Sequence, residues 1–139
     1  MVKIDKDVQN FLKAAQGPFA KQLSIIRTRI QPSLFAKMAK HIGMPQKGLA
    51  QTLGLNERTL RNRSPHQRLT EVESEKSLRV ARVYAKAMEV LDSDESAKKW
   101  IVSPIKSLGN RRPIDFLETD VGTQEVLNVL NAIEWGVYL

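Results

Sequence analysis

Apolar side chains recur at three- and four-residue steps along almost the whole chain, and no stretch alternates apolar and polar positions, so the pattern predicts an all-α protein. Val8, Phe11, Leu12 and Ala15 form the first such face, ended by Gly17 and Pro18. Leu23, Ile26 and Ile30 mark a second helix that stops at Pro32. Ser33 offers a cap to a third carrying Leu34, Met38 and Ile42, closed by Gly43 and Pro45. Two short helices follow, around 46–53 and 57–63. The segment Ser64-Pro65-His66-Gln67-Arg68 has no apolar periodicity and reads as a linker, which divides the chain into residues 1–65 and 66–139.

The second half opens with a long helix over about 71–91. Leu78, Ala81, Ala85 and Met88 make one stripe on it, and Val80, Tyr84, Ala87 and Leu91 another. Two stripes cover much of a helix's circumference, which makes this one central either to its own domain or to a dimer. The run from Asp92 to Glu95 breaks it, and Ser93 or Asp94 can cap a following helix toward Trp100 and Ile101. Pro104 and the Leu108-Gly109-Asn110 turn interrupt again, and Pro113 suits the first turn of a short helix holding Ile114, Phe116 and Leu117. A last helix is predicted over about 123–134, with Val126, Leu127, Leu130 and Ile133 inward and Gly136 as its stop. Tyr84, Trp100 and Phe116 read as core, and His41 and His66 as surface.

Charge becomes informative once it is divided. Residues 1–63 carry 12 Lys and Arg against 3 Asp and Glu, a net of +9, whereas residues 64–139 carry 10 against 12, a net of −2. A half-chain with that excess attracts a polyanion, because each neutralised phosphate releases condensed counterions. The absence of cysteine excludes disulfides, thiolate metal sites and a cysteine nucleophile. The two histidines stand far apart, and Asp92, Asp94 and Glu95 lack the glycine and distal glutamate of a calcium loop, so neither a metal nor a cofactor is expected. No nucleophile–base pair is visible, which disfavours an enzyme. No apolar run approaches the ~20 residues of a membrane span, and the first residues lack the apolar stretch of a signal peptide. The cytoplasm is the expected location.

The spacing in Gln46–Pro65 is that of a helix-turn-helix. Ala50 is small where two crossing helices come closest, and Gly54, four residues on, supplies the positive φ that a short turn needs. Leu49, Leu53, Leu55 and Leu60 provide the apolar contacts of the crossing, and Asn56 can cap the second helix. That helix then offers Glu57, Arg58, Thr59, Arg61, Asn62 and Arg63. Arg can reach guanine bidentately, Asn can reach adenine, and hydroxyls and amides position phosphates. A plain helical hairpin would account for Ala50 and Gly54, but not for a cationic outer face on a cationic half-chain. The candidate DNA-contacting residues are Lys47, Asn56, Arg58, Thr59, Arg61, Asn62 and Arg63, with Arg58 and Arg61 foremost and Arg63 and Lys47 assigned to phosphate. A dimer on a palindromic site is expected.

The later residues carry a family resemblance. The runs Leu69-Thr70-Glu71-Val72-Glu73-Ser74 and Leu78-Arg79-Val80-Ala81-Arg82-Val83 resemble the opening of the Xre/MbcA/ParS antitoxin C-terminal domain. Ala87, Ala97 with Trp100, Pro104, Leu108-Gly109, the run from Arg112 to Leu117, Thr119 and Gly122 follow in the family's order. The tail Leu130-Asn131-Ala132-Ile133-Glu134-Trp135-Gly136-Val137-Tyr138 is similar to the family's ending, and a helix-turn-helix of Xre/Cro type is the family's usual N-terminal partner. Asn110 departs from the pattern, since a second glycine is common there.

The resemblance implies an antitoxin of a type II pair whose partner is a RES-domain toxin, an enzyme that consumes NAD. It implies a homodimer that covers the toxin's active-site entrance with its C-terminal domain and represses its own promoter. Trp135, Gly136, Val137, Tyr138 and Leu139 form an apolar, aromatic tail after a helix stop, able to plug a cleft. Its terminal carboxylate could meet a cationic pocket. Trp135 can equally tuck onto its own domain. Arg111 and Arg112 read as solvated charges beside a turn, with phosphate binding as the other option. The competing function is a stand-alone repressor whose C-terminal half only dimerises.

Overall fold

Among the described residues, a side-chain cap starts five of the eight α-helices. In the computed structural model, which describes residues 3–136, α1 (Lys6–Ala15) begins where the Asp5 carboxylate accepts from the N–H groups of Asp7 and Val8. The helices α2 (Phe19–Thr28) and α3 (Pro32–His41) follow, then α4 (Gln46–Thr52) and α5 (Glu57–Arg61). The long α6 (Glu71–Leu91) starts with a reciprocal capping box: the Thr70 hydroxyl accepts from Glu73 N–H, and the Glu73 carboxylate accepts from Thr70 N–H. Ser93 caps α7 (Asp94–Ile101), accepting from Ser96 N–H. Two 3₁₀ turns, Lys106–Leu108 and Pro113–Phe116, lead to α8 (Asp120–Glu134). Among the described residues there is no strand, only an isolated bridge between Ile105 and Arg111. Asn110 takes φ +62 there, a left-handed conformation that glycine adopts more readily.

The two-stripe helix is the axis of the molecule. Leu78, Val80, Ala81, Val83, Tyr84, Ala85 and Ala87 of α6 are all buried. The helix packs on α1 and α2 of the first half and on α7 and α8 of the second. Apolar residues of both halves merge into one continuous cluster, from Val8, Phe35, Met38 and Leu49 to Ile101, Ile114, Val126 and Leu130. The 64–68 stretch is irregular, as expected, but it is tied down. Arg68 donates to the Arg29 carbonyl at 2.7 Å, and Leu69 N–H to the Ile30 carbonyl at 2.9 Å.

Tertiary contacts overrode local pattern at several points. The second helix ends at Thr28 rather than at Pro32, because Arg29 turns to φ +67 and Ile30 N–H is taken by the Ser74 hydroxyl of α6 at 3.0 Å. Ser33 does not cap α3; Gln31 is the cap residue and Pro32 opens the helix. The last helix begins three residues before Thr123, because the Thr119 hydroxyl accepts from Gly122 N–H. Ile133 is 38% exposed, and Val129 takes the inward place. Trp100 and Phe116 pack on the core only partly buried. His41 is not a surface residue: its Nε2 lies 2.7 Å from Asp94 Oδ1, and its ring meets Tyr84 edge-on at 5.5 Å.

Candidate nucleic-acid interface and second binding surface

The turn between α4 and α5 closes by a pair of backbone bonds. Gly54, at φ +69, donates to the Gln51 carbonyl at 3.0 Å, and Leu55 N–H donates to the Ala50 carbonyl at 2.8 Å. This is the paired 5→2 and 6→1 arrangement of a Schellman stop. Ala50 and Leu53 are buried in the crossing, and Asn56 Oδ1 accepts from Thr59 N–H at 2.9 Å to start α5. The helix-turn-helix read from the sequence is therefore built as expected, with α5 in the recognition position.

Five of the seven candidate contact residues, Asn56, Arg58, Thr59, Arg61 and Asn62, lie exposed on or beside α5, and Lys47 is exposed on α4. Asn56, Arg58, Thr59 and Asn62 line one shallow depression, whereas Lys47 and Arg61 line a cleft between α3, α4 and α5, and Arg63 borders both. Arg61 is held by Glu57, one helical turn earlier, at 3.0 Å, but its side chain stays 59% exposed. Among the described residues, Arg58 and Lys47 make no ion pair, so their charge is available to a polyanion.

Arg63 is placed differently. Its side chain is 6% exposed, and its guanidinium engages both oxygens of the carboxylate of Glu73, whose side chain is 9% exposed. Burial alone would raise the Glu73 carboxyl, but the Arg63 hydrogen bonds and Thr70 N–H outweigh it and hold it below the ordinary glutamate value. The Thr70-x-x-Glu73 spacing was the sequence signal for this carboxylate, since a glutamate that reaches back to cap a helix is already aimed at the chain before it. Two further residues, Lys76 and Glu118, had no such signal. Lys76 Nζ donates to the Leu53 carbonyl at 2.8 Å. The Glu118 side chain lies against Gly54, where a Cβ would sit 2.4 Å from its Oε1.

Behind this region, Asp94 joins the two halves. Burial would raise its carboxyl, yet the Tyr84 hydroxyl and His41 both bond it and keep it below the ordinary aspartate value. Burial and the adjacent Asp94 push the Tyr84 phenol up, so it stays a hydrogen-bond donor. Asp94 is engaged as a structural acceptor. Among the described residues no cluster suited to a metal ion occurs, and no helix is long and apolar enough to cross a membrane.

A second surface lies at the end of α8. Trp135, the C-cap residue, is 78% exposed and belongs to no core, and Gly136 ends the helix at φ +70. The Lys86–Glu134 pair, at 3.0 Å, ties this end of α8 to α6. Val137, Tyr138 and Leu139 lie outside the described residues. Arg112 pairs with Asp115 through two bonds of 2.8 and 2.9 Å, and Arg111 stacks 4.5 Å above the Phe116 ring. Both arginines serve the turn.

Residues 21–82 match the profile of the antitoxin Xre-like helix-turn-helix domain, and residues 86–136 that of the antitoxin Xre/MbcA/ParS C-terminal toxin-binding domain. The seam between the two matches falls inside α6. Two curated relatives are each named Antitoxin Xre. The one from Yersinia enterocolitica is 35% identical over 68% of this chain and 66% of its own length. That from Photorhabdus laumondii is 32% identical over 50% of this chain and 48% of its own length. The aligned part thus spans roughly half to two thirds of these relatives. A chain in the crystal structure of the M. tuberculosis MbcT–MbcA toxin–antitoxin complex shares the fold, with a TM-score of 0.53 and 22% identity, over 78% of this chain and 96% of that one.

Proposed function

Joining an Xre-like helix-turn-helix domain to an Xre/MbcA/ParS toxin-binding domain, this chain belongs to the Xre/MbcA/ParS antitoxin family, and on that premise we propose that it neutralises a RES-domain, NAD-consuming toxin and represses its own operon. Residues 135–139 cover the toxin's active-site entrance, and a homodimer presents two α5 helices to a palindromic operator. The observation that carries the toxin half is the exposed Trp135 at the stop of α8. A large aromatic ring left in solvent by its own domain is the kind of anchor that dominates interface energies. Val137, Tyr138 and Leu139 extend the same apolar segment.

For DNA, the supporting feature is the exposed α5 face. Arg58, Thr59 and Asn62 are free of the core, Asn56 stands at the helix N-terminus, and Lys47 and Arg61 flank them. Arg58 and Arg61 suit guanine, Asn62 suits adenine, and Lys47 and Thr59 suit phosphate. Covering a toxin's entrance and reading an operator then fall to different halves of the sequence.

The test is co-expression with a RES-domain toxin, read as growth and as cellular NAD. The full chain restores both, whereas Trp135→Ala and a deletion of Gly136–Leu139 restore neither while still retarding a duplex of the upstream DNA. Full rescue by both variants defeats the plug. Absence of rescue by the full chain leaves the stand-alone repressor as the better reading.

A further inference from the structure

We infer that Arg63 and Glu73 are a positioning pair that sets the pose of the recognition helix, and that Arg63 does not touch DNA. This rests on the DNA-binding reading above and reassigns one of its residues.

The recognition helix cannot orient itself. It has five residues, none of them buried, and a helix so short has no stability of its own. Leu55 and Leu60 rest partly buried against the core, and what holds the two flanks of the helix sets the rest of its direction. At the C-terminal end, Arg63 follows the cap residue Asn62 and turns inward, where its guanidinium meets Glu73 through both Nη1 and Nη2. The carboxylate is fixed from the other side, because Glu73 Oε1 also accepts from Thr70 N–H at 2.7 Å, and the Thr70 hydroxyl accepts from Glu73 N–H at 3.1 Å. At the N-terminal end, Lys76 reaches the Leu53 carbonyl just before the turn. Glu73 and Lys76 are neighbours on one face of α6, so a single rigid helix holds the α4–α5 junction and the C-terminal end of α5.

Geometry separates Arg63 from the other cations of the unit. Arg58 and Lys47 are exposed and, among the described residues, unpaired, and Arg61 is mostly exposed. Arg63 is the one whose charge is already matched by a carboxylate out of solvent. A bidentate arginine–carboxylate pair imposes direction as well as attraction, and in a buried setting its best-attested use is to specify one arrangement. Releasing Arg63 to a phosphate would strand the Glu73 charge in the interior.

Two roles for Arg63 give opposite signs on removal of the carboxylate. A phosphate contact restrained by Glu73 would be freed by Glu73→Gln, and binding would tighten. A positioning pair would be broken, and binding would weaken. The experiment measures anisotropy of the full-length chain with a labelled duplex of the DNA immediately upstream of its coding sequence and with a mixed-sequence duplex, across a salt series. Glu73→Gln is expected to weaken the upstream duplex by about tenfold, as when one base contact slips, and the mixed-sequence duplex by less. The slope of log K against log salt should match wild type, since no phosphate contact is lost.

The double variant Arg63→Met with Glu73→Gln keeps an acceptor for Thr70 N–H and leaves no buried charge, so it decides the matter if Glu73→Gln fails to fold. It too should keep the wild-type slope. A slope smaller by about one unit means that Arg63 neutralises a phosphate and overturns the inference. Unchanged or tighter binding by a folded Glu73→Gln overturns it as well. If the wild-type chain binds neither duplex at low salt, the DNA-binding reading falls and this inference with it.

Discussion

Gly48 and Gly122 occupy the third position of α4 and of α8, neither with a positive φ. By helix propensity, alanine at either position should stabilise the protein by about 0.5–1 kcal/mol. Their surroundings separate them. A Cβ on Gly48 would lie 3.7 Å from Pro45 Cδ and 3.9 Å from Met44 Cε, which is ordinary contact. A Cβ on Gly122 would lie 2.1 Å from the Phe116 carbonyl oxygen and 3.0 Å from the Thr119 hydroxyl. That oxygen cannot rotate away. It belongs to backbone held by the fully buried Ile114 and Leu117, and Thr119 is itself occupied in capping Gly122 N–H at 2.9 Å.

Relieving the contact requires the 113–116 turn and α8 to part by about 1 Å, and overpacking of this kind costs about 1–3 kcal/mol. The clash outweighs the propensity gain, so Gly122→Ala should destabilise by about 1–2 kcal/mol while Gly48→Ala stabilises by up to about 1 kcal/mol. Urea unfolding followed by circular dichroism reads both as shifts in midpoint at constant slope. A Gly122→Ala protein as stable as wild type would refute the reasoning, because propensity would then have won against a backbone contact.

Gly54→Ala should cost about 1–2 kcal/mol for its left-handed backbone, plus whatever it takes to displace Glu118; in a Glu118→Ala background only the first part should remain, and an identical loss in both backgrounds would show that Glu118 is not displaced. Tyr84→Phe removes a donor to a half-buried carboxylate and should lower stability by about 1–2 kcal/mol, measured in the same urea series; an unchanged midpoint would contradict the assigned bond. Glu73 and Asp94 both have lowered carboxyl values in the folded chain. Their stabilisation is therefore full above the unfolded values of about 4 and is lost as pH falls through and below them. The thermal midpoint should drop below about pH 5, and Asp94→Asn or Glu73→Gln should flatten that drop; a variant as acid-sensitive as wild type would rule its carboxylate out.

Wherever the deciding groups lie within one or two helical turns of each other, the amino-acid order alone determined the outcome. Gly54 in the left-handed turn, Asn56 and Ser93 as caps, and the length of α6 follow from spacings of two to four residues and were all legible. The α5 face was legible too, since its exposed residues are the cationic and polar ones. Tertiary structure decided the groups that meet across the chain. The inward turn of Arg63 depends on α6 presenting a carboxylate, and the bend at Arg29 on the Ser74 hydroxyl reaching Ile30 from 44 positions away. The burial of His41 depends on Asp94, 53 positions away. A charged or ring side chain shows in sequence only its type. Whether it faces water or a partner is settled by what the packed helices place opposite it, because an unpaired buried charge is too costly to persist and a paired one is not.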